Sequence, residues 1–156
     1  MSTSLPPSGR ALVRTVTEAV TSAAGQDRDG LRDATGTLAA ADEHVVREVL
    51  SSLVLRLLEQ TNPDGLDADS VRDLLAEVLR EAAGWLPELD PHAVVLVLGG
   101  ALAVHEQDES AADWSGLLLA CALVVSRLLD RSGGPLGPEL DGALGELRRA
   151  QTVELP

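Results

Sequence analysis

Ala93-Val94-Val95-Leu96-Val97-Leu98-Gly99-Gly100-Ala101-Leu102-Ala103-Val104 and, further along, Leu117-Leu118-Leu119-Ala120-Cys121-Ala122-Leu123-Val124-Val125 decide the fold, because neither stretch holds a charged or hydrogen-bonding amide side chain. A helix that is apolar all round belongs in the centre of a core or in a membrane. Length separates the two. The longer run has twelve residues, which as a helix span roughly 18 Å against a hydrocarbon thickness of about 30 Å. Neither run crosses a bilayer, and the charged flanks on both sides point to a buried hairpin.

Small residues recur four apart within these runs: Gly99 with Ala103, and Gly116 with Ala120. Such spacing lets two backbones approach closely. A Gly99-Gly100 pair inside a helix costs on the order of 2 kcal/mol relative to two alanines, so a tight crossing at the glycines is expected to offset it. Val97, Gly99, Gly100, Ala103, Gly116 and Ala120 are therefore the expected contact residues. A small bundle has few layers with which to cover two such helices on every side, so either the other helices wrap both faces in a monomer or the hairpin is buried against a second copy, as a two-fold homodimer.

Outward from the hairpin the chain reads as helices. Leu12, Val13, Val16, Val20 and Ala23 share a face and end at Gly25. Asp27–Ala41 is a weaker helical pattern, interrupted by Gly30 and Gly36. Val46, Leu50, Leu53 and Leu57 mark a strongly amphipathic helix that the turn Asn62-Pro63-Asp64-Gly65 breaks. Asp67 caps the next, with Leu66 and Val71 placed as a hydrophobic staple. Asp90-Pro91 starts the first apolar helix, with Leu89 and Val94 spaced in the same way. Ser110 with Asp113 reads as a capping box for the second, which carries Trp114. Gly137-Pro138 opens a last helix holding Leu140, Leu144 and Leu147. Nothing alternates for the length of a strand. The expectation is an all-α protein: one compact bundle of five to six helices over residues 8–150, with a flexible amino terminus at 1–7 and a flexible tail at 151–156.

A chain of 156 residues is one domain's length and buries roughly 68–70% of its extended surface. Twelve basic residues, all Arg, face twenty-five acidic ones for a net charge of -13. That charge repels nucleic acid and anionic membranes. The absence of Lys removes Schiff-base and P-loop chemistry. Cys121 is alone, so no disulfide framework exists and cytoplasmic residence is the default.

Catalytic constellations are missing. Buried in an apolar helix, Cys121 lacks the nearby cation a reactive thiolate needs. His44 and His92 stand outside any Glu-x-x-His or His-x-x-x-His spacing. His105, Glu106, Asp108, Glu109 and Asp113 form a weak candidate metal cluster that matches no EF-hand loop. Asp73, Glu77 and Glu81 make an acidic column at four-residue spacing, either a solvated helix face or a dock for a basic partner. The sequence thus favours a non-enzymatic interaction protein, an accessory, adaptor or cargo-like subunit without a cofactor, that self-associates through its apolar hairpin. Two alternatives stand beside it: a helical domain binding an apolar small molecule between helices, with Trp85 or Trp114 at the pocket mouth, and a metal-assisted enzyme built on the 105–113 acids.

Overall fold

The structure, a computed structural model, describes residues 7–100 and 113–154. These fold into seven helices, with no strand among the described residues: α1 (Pro7–Ala24), α2 (Arg28–Ala40), α3 (Glu43–Thr61), α4 (Ala68–Ala83), α5 (Pro91–Leu98), α6 (Trp114–Ser132) and α7 (Leu136–Glu154). The protein is all-helical, with more helices than the five to six expected. The weak segment after Asp27 forms α2, because its Leu31, Ala34 and Leu38 bury against the bundle. Tertiary burial overrides the two glycines there.

Aspartate side chains set the starts of five helices. Asp27 accepts from Gly30 N–H at 3.0 Å, Asp42 from His44 N–H at 3.0 Å, Asp67 from Ser70 N–H at 2.7 Å, Asp90 from His92 N–H at 2.9 Å and Asp113 from Gly116 N–H at 2.8 Å. Each satisfies an N–H that the helix itself cannot. Asp113, rather than Ser110, caps α6, and Ser110 lies outside the described residues. Leu66 stays 44% exposed, so the staple expected beside Asp67 does not bury, whereas Leu89 and Val94 are both interior. Gly133, in the left-handed conformation at φ 74, closes α6 by donating to the Leu129 carbonyl at 2.8 Å. The last helix begins at Leu136, slightly before the expected Gly137-Pro138, and continues helical past residue 150 to Glu154.

One helix holds the centre. α6 packs against α1, α2, α3, α4 and α5, and nine of its side chains from Leu117 to Leu128 are buried. Around it α1 packs on α2, α7 on α3, and α4 on α5. No described helix is long and apolar enough to cross a membrane.

The expected reach of the first apolar helix needs correction. α5 stops at Leu98 instead of running to Val104. Gly99 donates to the Val95 carbonyl at 2.9 Å, Gly100 to that of Val97 at 3.1 Å, and Gly100 then turns to φ +92. The glycine pair therefore ends the helix, where its missing side chains are an advantage, and does not sit inside a helix where they would be a cost. α5 does pack on α6, but the connection between them lies outside the described residues.

Candidate functional site

The expected contact residues separate into two environments. Val97 and Ala120 are buried, so they belong to this chain's own core. Gly99 and Gly100 are exposed at the end of α5, and among the described residues an added Cβ on either would meet no atom of another helix within 4 Å. Gly116 is half-buried in the first turn of α6. Ala103 lies outside the described residues. Sequence spacing alone missed the outward side of α5: Val95 is 46% exposed, and Leu96 and Leu98 are only partly covered. The sequence carries no signal for it, since Ala93–Leu98 are all apolar; once packing turns Ala93, Val94 and Val97 inward, Val95 must turn out.

The acidic column is not uniform. Asp73 is exposed. Glu77 instead meets Arg131 at 2.6 Å, and Glu81 meets Arg127 at 2.8 Å. The pairing order, 77 with 131 and 81 with 127, shows that α4 runs antiparallel to α6. Hydrogen bonding from Arg131 holds the Glu77 carboxyl below the usual glutamate range, against partial desolvation. Pairing with Glu81 pushes Arg127 higher still. Two of the three carboxylates thus serve an interhelical contact, which the periodicity of α4 could not reveal because the arginines lie on another helix.

A second ionic contact joins α3 to α7. Arg56 reaches Glu146 at 3.0 Å and approaches Glu139 at 3.4 Å, Gln60 donates to Glu139 at 2.8 Å, and Ser52 donates to Glu146. The guanidinium lies over Gly142, where any Cβ would collide with it. Arg28 and Arg32 both bind Glu88, at 2.9 and 3.0 Å, fastening α2 to the segment before α5.

Of the weak metal candidates, His105, Glu106, Asp108 and Glu109 lie outside the described residues. Asp113 is engaged as the cap of α6. Among the described residues no three His, Cys, Asp or Glu side chains are grouped to hold a metal ion. Cys121 is buried in α6, and burial pushes its thiol up to about 12, so it is not a thiolate nucleophile at neutral pH.

Two open grooves lie among the described residues. One, of about 590 Å³, runs between α2, the segment before α5 and the start of α6, lined by Arg32, Glu88, Asp90, Asp113 and Ser115 among others. The other, of about 410 Å³, lies between α1 and the end of α6 beside Glu81, Arg127 and Asp130. Both carry charged walls, and neither Trp85 nor Trp114 lines them. Trp114 instead lies under the Arg47 guanidinium, 4.5 Å from the ring centre. Compared with known protein families, curated proteins and solved structures, the chain matches none.

Proposed function

We propose that this chain is a non-enzymatic helical interaction protein, an accessory or adaptor-like subunit, that associates with a second copy of itself through the outward face of α5. The observation that carries the reading is Val95, 46% exposed in a helix whose residues Ala93–Leu98 are all apolar. Single exposed apolar side chains are ordinary. Here the exposed valine continues into the partly covered Leu96 and Leu98, and adjoining apolar surface of this kind marks protein contact sites. A two-fold arrangement sets the same face on both copies.

The net charge of -13 opposes the approach of two copies and turns nucleic acid away. Association should therefore strengthen as salt screens the repulsion. A single buried cysteine fits a cytoplasmic setting. The apolar-ligand alternative draws no support from the two grooves among the described residues, which are open and carry charged side chains.

Light-scattering mass across a concentration series tests the proposal. The unsubstituted chain is expected to approach the mass of two chains, and Val95→Asp that of one. At so exposed a position the substitution leaves the monomer's stability nearly unchanged. A monomer at every concentration and salt ends the reading.

A further inference from the structure

Among the described side chains, each of the two long helices that bury the fewest is joined by interhelical ion pairs to a helix that buries many, α4 to α6 and α7 to α3. Among described side chains α4 buries Leu74, Val78 and Ala82, and α7 buries Leu140, Ala143 and Leu144, whereas α3 buries seven and α6 nine. α4 is additionally followed by the buried Leu86 and Leu89. Among the described helices the main contact of α7 is with α3.

We propose that α7 is a separately opening helix, held on α3 by the clamp centred on Arg56, so that loosening the clamp releases α7 while α3 and α6 stay folded. Arg56 sits between Glu139 and Glu146, which lie on either side of Gly142 along α7, and its guanidinium uses the space that the missing Gly142 side chain leaves. Ser52 and Gln60 bind the same two carboxylates from the neighbouring turns of α3. Five side chains thus act as one unit across a narrow apolar seam. The entry to α7 suits a hinge: Gly133 is left-handed, and Gly134 N–H donates to the exposed Ser132 hydroxyl, at 3.2 Å. Opening would uncover the side of α3 around Ser52, Arg56 and Gln60 together with the Leu140 and Leu144 side chains. This inference stands apart from the α5 contact, since it concerns one chain.

Native-state hydrogen exchange read by peptide mass spectrometry is the test, comparing residues 138–149 with 46–58 and 117–128. Raising salt relieves general repulsion in so acidic a chain, so the readout is the ratio of α7 exchange to α6 exchange. That ratio should rise roughly three- to thirtyfold from low to high salt, and by a similar factor in Arg56→Gln at low salt, as loss of partly exposed pairs implies. Should Arg56→Gln fail to fold, the salt series on the unsubstituted chain decides alone. A ratio that stays constant with salt, or α7 amides that exchange only together with those of α3 and α6, overturns the proposal.

Discussion

The Arg47 guanidinium stacks on Trp114, 4.5 Å from the ring centre, and joins α3 to the first residue of α6. Glu43 binds the same arginine at 2.7 Å, fixing the stem from one turn earlier. The Trp114 indole N–H is buried without an acceptor, so the ring is held through its face. Arg47→Ala should lower unfolding free energy by about 1 kcal/mol, from lost cation–π attraction and lost cover of the ring. In a Trp85→Phe background, where Trp114 is the sole reporter, the same change should shift tryptophan emission to the red. Emission and denaturation midpoint both unchanged would show that the stacking contributes nothing.

Two glycines should respond to alanine with opposite signs. Gly36 sits on the exposed side of α2, where an added Cβ meets nothing within 4 Å. Gly36→Ala should stabilise by up to about 1 kcal/mol through helix propensity alone. Gly133 holds φ 74, a conformation alanine adopts only under strain, so Gly133→Ala should destabilise by about 1 kcal/mol. Denaturant titration of both variants checks the pair, and changes of the same sign would contradict the backbone geometry of one of them.

Gly142 differs from both, because its open space is already taken by Arg56. In the native background Gly142→Ala gains propensity but displaces the guanidinium from between Glu139 and Glu146, so the two effects should nearly cancel. In an Arg56→Ala background the guanidinium is no longer there to be displaced, and the same change should stabilise by up to about 1 kcal/mol. A double-mutant cycle measures the difference as a coupling energy. Zero coupling would mean that the guanidinium does not occupy the niche in solution.

Much of this architecture was legible in the residues, and most of the failures share one cause. The caps at Asp67 and Asp90 and the inward faces of α1, α3 and α4 follow from local spacing, and local spacing is what a sequence displays. The Gly99-Gly100 pair reads in sequence as a close crossing inside a helix, and the left-handed backbone at Gly100 shows it to be a helix end. Glu77 and Glu81 look like a solvated column because Arg127 and Arg131, which bind them, lie more than forty residues away. The exposure of Val95 depends on how many helices α6 can gather around itself, a property of the assembled bundle. Apart from the Leu66 staple, which stays exposed, interactions confined to one helix could be read, and those that needed two could not.

Acid should weaken the fold through the same carboxylates. A hydrogen bond from Arg131 holds Glu77 below its ordinary value of 4.5, and one from Ser52, aided by Arg56, does so for Glu146. The unfolded chain therefore takes up these protons first as pH falls. The contribution of both groups is complete above 4.5 and is lost as pH drops through their lower folded values. Melting temperature should decline on acidification below 4.5, and less steeply for Glu77→Gln/Glu146→Gln, which has already lost that contribution. Parallel curves for the two proteins would place the acid sensitivity elsewhere.

Cys121 offers a direct measure of whether α6 is the centre of the bundle. Its side chain is 1% exposed between the buried Ala120 and Ala122, and its thiol is pushed up to about 12 by burial. A thiol reagent needs both access and thiolate, and the folded chain withholds both. At mildly alkaline pH the native protein should leave Cys121 unlabelled over times in which the denatured chain reacts fully. Because α6 is covered by α1, α2, α3, α4 and α5, peripheral opening of α7 should not expose it. The labelling rate should then follow global unfolding, falling in Gly36→Ala and rising in Gly133→Ala. Rapid labelling under native conditions would mean that α6 is reached without unfolding, and the packing around it would have to be different.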